Sequence, residues 1–133
     1  KHSPLKTLQN KNLDAFTQVV EEISHFYLIV MALTKRKQVS HFNLEWQAEI
    51  DKFLFSSILC QKQCHKNQNN KLLKLIYEQV SFQKKDDIYK QANKKARVFW
   101  EKVLKNGYGR TFSPYSFNFK ELMKKSLREK ITT

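Results

Sequence analysis

The sequence predicts an all-α protein of about five helices, and two observations carry that prediction. Glycine and proline number two each in the 133 residues, well below the roughly nine and seven expected from average usage. This scarcity disfavours folds that need many turns, such as sandwiches, barrels and doubly wound sheets. The hydrophobic residues, 41% of the chain, recur at helical spacing along most of its length. A chain of this size forms one domain, so we expect a single helical domain over residues 1–133.

The first helix follows a polar, basic and aperiodic stretch, residues 1–11, which we interpret as a loose lead-in. Asn12 can cap this helix, with Asp14 in its first turn, and Lys35–Lys37 close it. Residues 26–33 are apolar all round, which is typical of a segment either central to a core or covered by a partner protein. We expect them to be core. The apolar positions of the helix are Phe16, Val19, Val20, Ile23, Phe26, Tyr27, Val30 and Leu33.

The second helix opens at Ser40 or Asn43 and runs to about Lys62 or Cys64. Its stripe comprises Trp46, Ile50, Phe53, Leu54 and Ile58. A polar loop at 66–70 then leads into a third helix. The apolar side of that helix comprises Leu72, Leu73, Leu75, Ile76, Val80 and Phe82.

The fourth helix opens at Asp86 or Asp87 and ends at Asn106 and Gly107, which tolerate left-handed geometry. We expect Trp100 to be a core residue of this helix. Its apolar side comprises Ile88, Ala92, Ala96, Phe99, Trp100 and Val103.

A fifth helix follows a turn at 106–112. Ser113 caps it and Pro114 takes its first position, which is a strong start signal. Its apolar stripe comprises Phe119, Leu122, Met123 and Leu127.

Charge is the strongest indication of a partner. The chain carries 25 Lys and Arg against 12 Asp and Glu, a net charge of +13. The excess is uneven, because residues 1–66 have 9 basic and 6 acidic side chains whereas residues 67–133 have 16 and 6. One-sided basic charge is typical of nucleic-acid binding. The alternatives are a lysine-rich coding bias, since Lys outnumbers Arg 21 to 4, and charged faces that only meet water.

No catalytic motif emerges from the sequence. The adjacent acids Glu21–Glu22 and Asp86–Asp87 point about 100° apart on a helix, so neither pair converges on a substrate. Glu21 and His25 are spaced as a surface pair. We therefore expect no catalysis, no cofactor and no small-molecule substrate.

A metal site and a membrane segment are also not expected. Cys60 and Cys64, with His65, form a single ligand pair where zinc sites usually show two, and His25 and His41 are the nearest further candidates. The cysteines are then thiols in a reducing compartment. The longest apolar run, at 26–33, is far shorter than the roughly twenty residues that cross a bilayer.

The last 45 residues hold the better constellation, a basic helix-turn-helix outline over 86–130. Lys90, Lys94 and Arg97 form a ridge at i, i+4 and i+7. The fifth helix would enter a groove, and the residues just before it would reach phosphates. The candidate nucleic-acid-binding residues are Lys90, Lys94, Lys95, Arg97, Arg110, Thr111, Asn118, Lys120, Lys124, Lys125 and Arg128.

Three segments, 42–54, 96–104 and 110–127, resemble the three helices of Myb or homeobox-like domains. The pair Phe99–Trp100 resembles the core aromatics of the middle helix. Core positions of the recognition helix resemble Phe119, Met123 and Leu127. The asparagine and arginine signature of homeodomain recognition helices is missing, so the resemblance implies binding to the DNA backbone more than base reading.

The small size and the Lys-, Asn- and Gln-rich composition are also similar to the homeobox-like accessory subunit of the ciliate adenine-N6 DNA methyltransferase complex. This resemblance implies a nuclear, non-catalytic subunit that binds double-stranded DNA within a hetero-oligomeric complex. The alternatives are a helical protein–protein adaptor without DNA contact and an RNA-binding module.

Overall fold

The computed structural model describes residues 3–4, 8–64, 69–78, 87–105 and 124. Within these residues the all-α prediction is confirmed, with four α-helices and no β-strand. The helices are α1 (Asn10–Thr34), α2 (His41–Cys64), α3 (Asn69–Leu73, continued by a π-helical turn at Lys74–Glu78) and α4 (Asp87–Val103). The predicted fifth helix lies outside the described residues except for Lys124, which is helical and exposed.

The helix α1 begins earlier than its sequence indicates. Gln9 is its N-cap, and the Asn12 side chain accepts a hydrogen bond from the Gln9 backbone N–H at 2.8 Å. The described part of the lead-in is attached to α2 by Gln63. The side chain of Gln63 accepts from the Leu8 N–H at 2.6 Å and donates to the Pro4 carbonyl at 2.9 Å.

The turn after α1 is a Schellman motif, in which the backbone N–H of Lys37 bonds the Ala32 carbonyl and that of Arg36 bonds the Leu33 carbonyl. The motif needs a left-handed residue at its centre, and glycine usually supplies it. Here Arg36 takes that conformation, with φ of 53°. The chain has only two glycines, and neither is near this turn.

The helix α2 is central, and α1 and α4 pack on different sides of it. Its first turn is capped by Ser40, whose hydroxyl accepts from the Asn43 N–H at 3.1 Å. The cross-helix pairs Ser24–Asp51 and Leu8–Gln63 show that α1 runs antiparallel to α2. The pairs His41–Tyr89 and Trp100–Ile50 show that α4 runs parallel to it.

The apolar core lies between α2, α4 and the α3 segment. Trp100 is fully buried, as predicted; its ring centroid lies 4.8 Å from that of Phe53, and its Nε1–H donates to the Ile50 carbonyl at 3.1 Å. Ala92 and Ala96 are also fully buried and allow α4 to approach α2 closely. A buried indole whose N–H is bonded is the most favourable way to use a tryptophan in a core.

The expectation that residues 26–33 are core is wrong for most of them. Only Leu28 and Ala32 are buried there, whereas Phe26 and Leu33 are 71% and 70% exposed. The side of α1 that faces α2 is largely polar. Its buried positions are Asn12, Leu13, Thr17, Val20, Ser24, Leu28 and Ala32.

A cavity of about 360 Å³ lies where the lead-in, α2 and α3 meet. Leu8 and Gln9 line it on one side, Lys71 and Leu72 on another, and Cys60 from α2. The Cys60 side chain is buried. The cavity therefore has an apolar wall with a thiol in it.

Candidate functional site

The helix α4 presents a lysine face to solvent. Its opposite side is fixed in the core by Ala92, Ala96 and Trp100, so the backbone that carries the lysines is held in place. The exposed lysines of this helix and its end are Lys90, Lys94, Lys95, Lys102 and Lys105. The exposed acids on the same helix are Asp87 and Glu101.

The predicted ridge of Lys90, Lys94 and Arg97 is only partly available to a ligand. Lys90 and Lys94 are exposed. The Arg97 guanidinium contacts the Glu78 carboxylate and donates to Glu101 at 2.8 Å. These contacts, first the hydrogen bond to Glu101, raise the pKa of Arg97 against the opposing effect of desolvation. Arg97 is therefore a link between α4 and the π-helical turn.

Lys95, another predicted binding residue, covers aromatic rings of α2. Its Nζ lies 3.8 Å from the Trp46 ring centroid and 5.5 Å from that of Phe42. A cation over an exposed aromatic face contributes roughly 0.5–1 kcal/mol. Lys95 thus has a structural role that its neighbour Lys94 does not share.

The remaining predicted site residues belong to the C-terminal segment. Lys124 is helical and exposed. The others lie outside the described residues, namely Arg110, Thr111, Asn118, Lys120, Lys125 and Arg128.

A second polar cluster, not predicted from the sequence, lies between α1 and α2. Glu45 of α2 is almost fully buried, and one of its carboxylate oxygens lies 3.2 Å from His25 Nε2 and 3.3 Å from His41 Nε2. The hydrogen bond with Glu45 raises the pKa of His25, outweighing desolvation, and the charges of Glu45, Glu21 and Glu22 add to the rise. A protonated His25 therefore neutralises a carboxylate that has lost its water.

The second half of this cluster is centred on Lys52. Its ammonium lies 2.6 Å from a carboxylate oxygen of Glu21 on α1 and 2.6 Å from one of Glu49 on its own helix. Burial disfavours its charge, but Glu49 and Glu21 outweigh that penalty and raise the pKa of Lys52. The other Glu49 oxygen accepts from the Asn93 amide of α4 at 3.1 Å. The network therefore joins all three long helices.

The sequence assigned Glu21 to His25 as a surface pair, and the structure gives each a different partner. Glu21 binds Lys52 and His25 binds Glu45, both across the α1–α2 interface. A spacing of four residues reports only contacts within one helix. Nothing in the sequence signals partners 20 or more residues away.

A divalent cation is the one cofactor these residues could bind. One donor atom from each of Glu21, His25 and Glu45 lies within 4.8 Å of the others, and imidazole and carboxylate are zinc ligands. However, Lys52 already neutralises Glu21 at 2.6 Å. A metal would have to displace that ammonium, so the arrangement fits a buried ion network better than a metal centre.

No family model, curated protein or solved structure matches the chain.

Proposed function

We propose that this chain is a non-catalytic nucleic-acid-binding protein that holds double-stranded DNA through its phosphates. The single observation that carries the proposal is the lysine face of α4. Five exposed lysines stand on a helix whose other side is anchored by the fully buried Trp100. Phosphate binding needs such point charges and tolerates their flexibility.

The charge balance of the surroundings supports the same proposal. Of the two exposed acids on α4, Glu101 is already bound by Arg97, so it repels phosphates less than an isolated carboxylate. The whole chain carries +13, which attracts a polyanion from a distance at low salt. Binding of this kind is weak and nearly independent of base sequence, with a dissociation constant of about 10⁻⁴–10⁻⁶ M at physiological salt.

The more specific form of the proposal is a nuclear accessory subunit. It rests on the resemblance of 42–54, 96–104 and 110–127 to Myb and homeobox-like helices and on the likeness to the accessory subunit of an adenine-N6 DNA methyltransferase complex. In this form a partner supplies catalysis and further DNA contacts. Linking two weak sites can raise affinity about 10²–10⁴-fold without new contacts.

A protein–protein adaptor is the second candidate, and a separate observation favours it. Phe26 and Leu33 expose most of their surface on α1, and Val19 and Ile23 beside them are also more than half exposed. Such a continuous apolar face is typical of an interaction surface. The two functions are compatible, because they use different helices.

Duplex binding measured across a salt series tests the proposal. For wild type, log K should fall linearly with log[salt]. The double variant Lys90→Ala/Lys94→Ala should bind more weakly and lower the slope by up to about 1.8, because each phosphate contact contributes about 0.9. A matched control, Lys11→Ala/Lys62→Ala, removes the same charge from α1 and α2 and should change the slope less.

Two results would overturn this assignment. If wild type does not bind duplex DNA at low salt, the adaptor function stands in its place. If both double variants lose affinity equally, binding follows net charge and α4 is not the interface. Preference for single-stranded or duplex RNA in a competition assay would identify the RNA-binding alternative.

A further inference from the structure

The exposed side of α1 has the spacing of a coiled-coil seam. Six apolar residues recur at intervals of three, four, three, four and three, which is the a and d pattern of a heptad repeat. We name these six the outer seam: Phe16, Val19, Ile23, Phe26, Val30 and Leu33. Five are exposed and Phe16 is half-buried. The seam lies away from α2, since Ser24 and Leu28 face α2.

The outer seam is larger than the apolar surface of ordinary monomers. Tyr27 and Ile29 widen it, at 53% and 41% exposure. Together with the seam they present an apolar area on the order of 600–700 Å², above the roughly 300–600 Å² of the largest patch on a typical monomer. A standard interface buries about 800 Å² from each partner. The seam with its polar rim therefore provides about the area that one side of a stable pair needs.

We propose that the outer seam binds the outer seam of a second copy of this chain, with the two α1 helices antiparallel. The pattern is self-complementary in that orientation. When the two-fold axis passes midway between Ile23 and Phe26, Ile23 faces Phe26 of the other copy. In the same register Val19 faces Val30 and Phe16 faces Leu33, so every a position meets a d position.

Charge favours the antiparallel orientation and the choice of α1 as the contact. In this register Asp14 lies opposite Lys35 of the other copy, and both are exposed. A parallel pair would instead bring the two Lys35–Lys37 runs together. The helix α1 also carries one basic and three acidic side chains in a chain of net charge +13. Two copies therefore meet through their least repulsive helix.

A lipid surface is the main competing occupant. By length and composition alone α1 is able to cross a membrane, since the stretch Lys11–Thr34 reaches a mean hydropathy of 1.2 with 28% of it buried. A lipid-facing surface does not require a 3.5-residue repeat or a charge at each end that complements its own reverse. Both features are present here, and they favour a helix as the partner.

Sedimentation equilibrium of the full chain over a wide concentration range tests the pairing. Wild type should reach about twice the chain mass of 15.9 kDa. Phe26→Glu places a charge at the centre of the seam and should raise the dimer dissociation constant by at least about 30-fold. Because Phe26 is 71% exposed, helicity should be unchanged. The matched control is Val98→Glu, an apolar residue exposed on α4, which should remain dimeric.

Cysteine cross-linking tests the orientation in a background that lacks Cys60 and Cys64. An equal mixture of the Phe16→Cys and Leu33→Cys chains should form the mixed disulfide, while each chain alone stays reduced. In a parallel pair the two positions are about 25 Å apart along the helix, so each chain alone would cross-link instead. That result would overturn the antiparallel assignment.

The pairing itself is overturned by a wild type that stays monomeric at all concentrations, or by Phe26→Glu chains that dimerise like wild type. A monomer that co-sediments with phosphatidylcholine vesicles, and loses this with Phe26→Glu, would assign the seam to lipid. An apolar seam should persist in high salt where DNA binding fails, so loss of one activity leaves the other measurable.

Discussion

The helices α1 and α4 pack on the same central helix and present opposite kinds of surface to it. The helix α4 buries its apolar side, with Ala92, Ala96 and Trp100 fully enclosed. The helix α1 turns most of its apolar side to solvent and buries Thr17 and Ser24 among polar side chains of α2. Amphipathic sequence therefore has two destinations in one small protein.

The difference originates in α2, whose two sides are chemically distinct. The side that meets α4 carries Ile50 and Phe53, whereas the side that meets α1 carries Glu45, Asp51 and Lys52. An apolar interface stabilises through burial and packing. A buried ionic interface adds little net stability but penalises any arrangement that leaves a charge without its partner. The α2–α4 contact is thus the stabilising one, and the α1–α2 contact fixes register.

The largest expected effect is on the apolar interface. Trp100→Ala should lower the free energy of unfolding by about 3–5 kcal/mol, because it removes a fully buried aromatic and leaves a cavity. Phe26→Ala removes an aromatic of similar size from the exposed side of α1 and should change the stability of the dilute monomer by less than about 0.5 kcal/mol. Urea denaturation of both variants measures the contrast. Equal losses would mean that the two faces do not differ as described.

A smaller effect is expected when the ionic interface loses one charge. Lys52→Met leaves Glu21 and Glu49 close together without their cation and should cost about 3 kcal/mol. Lys62→Met, on the exposed side of the same helix, should stay within about 0.5 kcal/mol of wild type. Adding Glu21→Gln and Glu49→Gln to Lys52→Met should recover much of the loss in urea denaturation. Failure to recover would show that Lys52 acts through packing of its methylenes.

The smallest effect concerns pH and the His25–Glu45 pair. Because the pKa of His25 is raised in the folded state, the pair contributes its full stability below the unfolded value of 6.5. That contribution is lost as pH rises through the folded pKa. Between roughly pH 6 and pH 8, where histidine titrates, the unfolding free energy of wild type should therefore fall more than that of His25→Gln. Parallel pH profiles would exclude this role for His25.

The sequence predicted the helices well and the partners of their faces poorly. The start of α4 at Asp87, the burial of Trp100 and the extent of α2 follow from local signals: capping residues, spacing and apolar stripes. The outer seam was visible too, as a helical stripe in α1. Periodicity shows that the two faces of a helix differ, but not which face another helix covers.

The candidate site could be predicted only where it depends on one helix. Lys90 and Lys94 are exposed as expected from their spacing. Arg97 has the same spacing, but Glu78, from an element 19 residues away, neutralises it. Lys95 and Lys52 likewise owe their roles to residues distant in sequence. Such long-range pairings depend on how the helices are arranged, which local patterns do not specify.

The cavity beside Cys60 has a consequence for the dynamics of the N-terminal segment. Leu8 and Gln9 line this cavity, and Gln63 attaches the backbone at Pro4 and Leu8 to α2. A reagent reaches the buried thiol only when this attachment opens, so the rate of thiol modification, with Cys64 replaced by serine, reports the opening equilibrium. The chain thus contains its own chemical probe of local opening at one end of α1, separate from unfolding of the core around Trp100.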